Sequence, residues 1–168
     1  MADQSQYRVT ATLGGLDVPV TRLRLKEGLS QPFKAKLDLY DGDLSWKSAQ
    51  QGNVDFKKLL DAEAVITLWD GLRPVRYIHG IIHKLKAGAM GTRRRYFTAT
   101  IVPELSALKL TDDCRIFQNQ SVEAIVRTLL KEHQILFHDF ALKQPRIPRA
   151  YCVQYEESVF AFIHRLLA

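Results

Sequence analysis

The sequence predicts a mainly β protein with an α+β portion: a small antiparallel β-barrel over residues 1–105, then the start of an α/β domain over residues 106–168, truncated at its second helix. Three observations carry this expectation. Apolar and polar residues alternate through most of the first hundred positions, the period of a strand with one buried face. Polar stretches bearing glycine or proline separate the alternating runs. The period then changes: Val122, Ile125, Val126, Leu129 and Leu130 recur at helical spacing, so the boundary between two units falls just ahead of them, within the stretch 110–133.

The elements follow in order. Residues 7–13 form a first strand with Val9, Ala11 and Leu13 on one face, and Gly14-Gly15 turns the chain. Residues 18–26 form the second, with Leu23 and Leu25 alternating against Arg22, Arg24 and Lys26. Pro32 holds Gln31 extended or in a turn. The third strand alternates most cleanly: Phe33, Ala35, Leu37 and Leu39 inward, Lys34, Lys36 and Asp38 outward. Residues 41–53 read as a long polar loop around Trp46, and residues 55–60 as a helical turn or an approach to the next strand. Residues 64–69 follow as a strand. Asp70-Gly71 signals a turn that Pro74 lengthens beyond the two-residue kind. Residues 75–86 make a long strand in which Gly80 marks a bulge or a corner. Residues 87–91 read as a loop, residues 93–102 as the returning strand, and Pro103 ends it. Apolar residues on both faces around glycine favour a barrel over a sandwich.

Beyond the boundary, Ser121 caps a helix that carries Glu123 in its first turn and Lys131 and His133 in its last, as the helix dipole favours. Residues 135–142 are a candidate strand, Pro145 and Pro148 frame a loop, and residues 151–155 are a strand. A second amphipathic helix opens with Val159, Phe162, Ile163 and Leu166. It stops at Ala168 without a cap, so the chain reads as part of something longer. Its apolar stripe, with Phe160 and Leu167, is expected to lack partners and to make this the less stable part, open to pairing of two copies through Phe162 and Leu166.

Composition narrows the function. With 46% hydrophobic residues the chain fills a core. No run of 18 apolar residues is present, and the polar start lacks a secretory signal. Cys114 and Cys152 have no metal-site spacing and read as thiols. The net charge of +6 belongs wholly to the first part: residues 1–100 hold 16 Lys and Arg against 10 Asp and Glu, while residues 101–168 hold 8 against 8. Lys84, Lys86, Arg93, Arg94 and Arg95 gather at one end of a hairpin as a candidate partner-contact basic patch, suited to an acidic protein surface or to nucleic acid.

No catalytic, cofactor or metal constellation is legible. His79 and His83, four apart on a strand, stand roughly 13 Å apart and read as structural. Asp112 and Asp113 read as turn formers, and Glu156 and Glu157 as charges ahead of a helix. Ser158 has only His164 near it and no third group to orient a base. No nucleophile elbow, phosphate loop or zinc-protease motif occurs.

Six segments, in order, resemble the amino-terminal part of VgrG proteins, the type VI secretion spike and hub proteins related to phage tail hubs. They are Leu29-Ser30-Gln31-Pro32-Phe33; Phe56 to Leu60; Tyr77-Ile78-His79-Gly80-Ile81-Ile82; Tyr96 to Leu110 with Pro103 and Leu105; Asp113-Cys114-Arg115-Ile116-Phe117 with Ser121 and Ile125; and Tyr151 to Leu166 with Gln154-Tyr155 and Arg165. Two positions depart: Asp61, where the family often has glycine, and Val159, where it usually has an acid. The resemblance implies a baseplate-hub-like fold and a structural role in the type VI tip. It also implies full-length chains that trimerise, sit on an Hcp-like tube hexamer and meet baseplate proteins. Assembly would be cytoplasmic, with export by the type VI apparatus. It implies no catalysis, no cofactor, no small-molecule substrate and no membrane insertion by this region. A trimer would need the missing remainder, so this chain alone is expected to be monomeric or weakly dimeric. A basic β-barrel that binds nucleic acid is the alternative reading.

Overall fold

The computed structural model describes residues 6–40, 59–90, 95–136, 138–141, 144 and 147–168. The chain divides into two compact units, Met1–Pro103 and Glu104–Ala168.

The first unit is built from β1 (Tyr7–Leu13), β2 (Leu16–Gly28), β3 (Gln31–Tyr40), β4 (Glu63–Asp70), β5 (Arg73–Met90) and β6 (Arg95–Val102). All neighbours are antiparallel. The order is β1-β2-β3-β6-β5-β4, and pairing of β1 with β4 closes the sheet on itself as a barrel. Alternation explains the core. Ala35, Leu37, Leu39, Ala64, Ile66, Ile78, Ile82, Ala99 and Ile101 all turn inward and are buried. Leu13 pairs with Leu16 across Gly14 and Gly15, both at positive φ, as a tight hairpin with two left-handed residues requires.

Several expectations change here. Asp70 pairs directly with Arg73, so the Gly71-Leu72 turn is the two-residue kind; Pro74 sits inside β5 beside a bulge, where its missing N–H costs no regular ladder bond. Residues 87–90 are strand, since β5 runs to Met90. Gly80 marks neither bulge nor corner. It lies in regular register with Ala64, and a Cβ there would stand 2.4 Å from the Val102 carbonyl oxygen, so β6 approaches too closely for a side chain. The irregularity falls instead between Ile82 and Lys84. Asp61 has φ 61°, a left-handed conformation that suits glycine, which accounts for the residue the resemblance expects at that position. The loop read at residues 41–53, with Trp46, lies outside the described residues, as does most of 55–60.

The second unit opens with a 3-10 helix (Glu104–Leu110), followed by β7 (Asp112–Gln120), α1 (Val122–Glu132), β8 (Arg149–Ser158) and α2 (Val159–Leu167). The fold class is corrected on this point. The chain is a mixed β and α fold, a six-stranded sheet followed by a two-stranded one with helices. It does not go on into an α/β domain, because β7 and β8 are antiparallel neighbours and no parallel crossover unit forms. The stretch 110–133 is likewise half strand: β7 precedes the helix. The Ser121 hydroxyl accepts from the Ala124 N–H at 3.2 Å and caps α1. The candidate strand at 135–142 is absent among the described residues of that stretch; β7 and β8 already pair with each other there.

The apolar stripe of α2 is not open. Val159 and Phe162 are fully buried and Ile163 and Leu166 nearly so, packed with Leu108, Phe117, Ile125 and Leu129. Phe162 stacks on Phe117 with ring centroids 5.7 Å apart. A dimer through Phe162 and Leu166 therefore has no surface to use; of the stripe, Phe160 is partly buried and Leu167 is 57% exposed.

Candidate functional site

Among the described residues no group of three or more His, Cys, Asp and Glu could hold a metal ion. Inside the six-stranded sheet, Leu13, Val18, Leu39, Tyr40, Leu59, Leu85 and Phe97 line a recess of ≈ 10 Å³. That is about the space of one water, too small and too apolar for a substrate. His79 and His83, read from sequence as structural, are both exposed, His79 with its ring 6.4 Å from that of Tyr77. Asp112 and Asp113 begin β7 rather than a turn.

Asp113 belongs to a small ionic cluster. It accepts from the Cys114 N–H at 2.8 Å and pairs with Arg115, which also pairs with Glu132 of α1. The Cys114 N–H first, and then Arg115, hold the Asp113 carboxyl below its ordinary 3.8. The Glu132 carboxylate raises the Arg115 guanidinium above its usual value. Glu157 does the same for Arg165, which also donates to the Val153 carbonyl oxygen at 3.0 Å. These charges tie β7 to α1 and β8 to α2 and are arranged for structure. Cys114 is exposed and Cys152 buried, both free thiols. The open face of the β7-β8 pair carries Ile116, Tyr151 and Tyr155, each more than half exposed.

The strongest surface feature lies outside the six-stranded sheet. Strand order places β2, β3, β6 and β5 side by side. Register then aligns their outward residues in rows. Arg24 is opposite Lys36, Lys36 opposite Thr100, and Thr100 opposite Lys84. The next row runs Arg22, Asp38, Thr98, Lys86. Lys26 is opposite Lys34. All seven cations are exposed. The one carboxylate in these rows is already engaged: Asp38 bonds Arg24 at 3.1 Å and Thr98 at 3.3 Å.

Of the patch expected from sequence, Lys84 and Lys86 stand on this face. Arg95 opens β6 opposite Met90, and Arg93 and Arg94 lie outside the described residues. Sequence reasoning missed that Arg22, Arg24, Lys26, Lys34 and Lys36 join the same face. Their outward direction is legible from alternation, but only the pairing of β3 with β6 brings them to Lys84 and Lys86.

Among the described residues no helix is long and apolar enough to cross a membrane. Residues 26–168 match the phage tail baseplate hub (GPD) family. The chain is 36% identical over 155 residues to the type VI secretion system spike protein VgrG2b of Pseudomonas aeruginosa, which covers 92% of this chain and 14% of that protein. It is 36% identical over 155 residues to VgrG2a of the same organism, with 92% and 17% covered. It thus spans under a fifth of the length of these relatives. Among solved structures it superposes with a TM-score of 0.74 and 25% identity on the Escherichia coli c3393 protein. That protein is a component of the type VI secretion system, structurally similar to the T4 bacteriophage tail proteins gp27 and gp5; the match covers 95% of this chain and 42% of that one. A 43 kDa tail protein from prophage MuSo2 of Shewanella oneidensis matches with a TM-score of 0.63 at 14% identity and supports the fold alone. The resemblance to VgrG proteins read from the ordered motifs is borne out, and the chain belongs to the phage tail baseplate hub family.

Proposed function

We propose that this region serves as part of the hub of a type VI secretion spike, working by the surfaces it presents rather than by catalysis. In a full-length parent it would join two further copies as a trimer, rest on an Hcp-like tube hexamer and meet baseplate proteins. It would assemble in the cytoplasm and leave through the type VI apparatus itself. The observation that carries this is the 36% identity to two spike proteins across 92% of the chain. The buried α2 stripe and the apolar filling of the sheet interior agree with it, since both spend the chain's side chains on packing. The test uses a full-length parent protein. It should sediment as a trimer and co-purify with a hexameric tube protein, and its deletion should abolish export of that tube protein. A monomeric parent that leaves tube export unchanged when deleted would refute the proposal.

A further inference from the structure

We propose that the outer face of β2-β3-β6-β5 is a docking surface for an acidic protein surface. The class of partner rests on the hub reading above; the surface itself rests on register and charge. Along the rows seven cations face outward against one carboxylate, Asp38; the other exposed carboxylates of β2, Asp17 and Glu27, lie off the rows and bond Thr12 and Arg76. The arrangement also works against the isolated sheet. Arg24 stands directly opposite Lys36, and Lys26 directly opposite Lys34, where like charges destabilise a strand pair. A face selected only for stability or solubility would interleave the two signs. Asp38 pairs with Arg24 and stands opposite Arg22, so it serves the arginines, and the lysines have no carboxylate partner among the described residues. An incoming acidic surface supplies the missing charges and relieves both like-charged pairs at once.

Geometry favours a protein over nucleic acid. Four strands at the usual spacing make a patch ~14 Å across. The outside of a sheet closed on itself is convex, whereas single-stranded nucleic acid is held in a groove with aromatic platforms. The rows Arg24-Lys36-Thr100-Lys84 and Arg22-Asp38-Thr98-Lys86 contain no aromatic residue. A flat or concave partner surface carrying several carboxylates fits such rows; electrostatic docking of this kind speeds encounter and is screened by salt.

The experiment measures anisotropy of a labelled decaglutamate peptide and of a labelled single-stranded decanucleotide with the 168-residue chain, at low and moderate salt. Lys34→Glu/Lys36→Glu should weaken the peptide at least tenfold, and Lys84→Ala/Lys86→Ala severalfold. Arg8→Glu, on β1 away from the rows, should change it less than twofold. Melting curves establish that each variant is folded. Two results would overturn the inference: peptide binding that is absent in the wild type, or equally reduced by Arg8→Glu and the lysine pairs. Tighter binding of the oligonucleotide than of the peptide, lost in the same variants, would also overturn it in favour of nucleic acid. In each of these cases the hub reading stands, because it is decided by trimer assembly and tube export of the full-length parent.

Discussion

Replacing Gly80 with alanine tests how tightly the six-stranded sheet is closed. The added Cβ would stand 2.4 Å from the Val102 carbonyl oxygen, 3.0 Å from the Val102 carbonyl carbon and 3.0 Å from Ile101 Cγ2. Two of these are backbone atoms of β6, so no side-chain rotation relieves them. On its other side Gly80 pairs with Ala64 of β4, which is fully buried. In a closed ring β5 cannot move from β6 without pressing on β4. Overpacking of this kind costs ~1–3 kcal/mol, offset by ~0.4–1 kcal/mol from the stiffer unfolded chain. A net loss of ~1–2 kcal/mol lowers the melting temperature of a unit of this size by roughly 5–15 °C.

Both tryptophans belong to the first unit, so the assay is thermal unfolding followed by tryptophan fluorescence. Gly28→Ala serves as the matched comparison: its φ is not positive, and the nearest atom to an added Cβ is the flexible Gln31 Oε1 at 3.4 Å. It should melt within about 2 °C of the wild type. If Gly80→Ala behaves like Gly28→Ala, the close approach of β6 does not constrain the sheet and the reasoning fails. The β5-β6 register also sets Lys84 and Lys86 in their rows, so Gly80→Ala should weaken decaglutamate binding although it removes no charge.

Three other outcomes follow from the same structure. Lys36→Glu turns a like-charged pair with Arg24 into an opposite one and should stabilise the first unit by up to ~1 kcal/mol, an effect that fades at high salt; a loss of stability would contradict the cross-strand geometry. Phe162→Ala removes a fully buried ring stacked on Phe117 and should cost ~3–5 kcal/mol, read as faster amide hydrogen exchange in β7, α1 and β8; unchanged exchange would show that α2 does not anchor that core. The folded-state pKa of Asp113 is depressed, so its stabilisation is complete above the unfolded value and is lost as pH falls below 3.8 through the folded value; Asp113→Asn should flatten the acid limb of urea unfolding for the second unit, and an unaltered limb would refute this.

What could be read from sequence was what local physics decides. Alternation of Phe33, Ala35, Leu37 and Leu39 against Lys34, Lys36 and Asp38 settles both the strand and its faces. Ser121 announces the start of α1 because a hydroxyl there meets an otherwise unpaired N–H. The misreadings have a common cause, dependence on distant neighbours. β7 has Phe117 buried but Ile116 59% exposed, so its sequence shows no clean alternation; only β8 makes it a strand. Residues 135–142 are apolar enough for a strand, yet Gln134 at φ 60° turns the chain, Leu136 is 68% exposed, and no strand pairs with the described residues of that stretch. The stop at Ala168 makes the α2 stripe read as lacking partners, yet Leu108, Phe117 and Ile125, from three separate earlier elements, supply them.

The basic face shows how core and surface are set together. Ala35, Leu37, Ala99 and Ile101 are fully buried, and each faces its partner across β3 and β6. A slip of one residue in that ladder would drive Lys36 inward and Leu37 out, at a cost far beyond any gain from separating like charges. The core therefore fixes the register, and the register forces Arg24 against Lys36 and Lys26 against Lys34 whatever the surface would prefer. Relief cannot come from rearranging the sheet. It can come from substitution of the outward residues, which leaves the core untouched, or from a partner that brings carboxylates to the rows. Along these rows the chain keeps cations at seven outward positions and a carboxylate at one, which leaves the second route open.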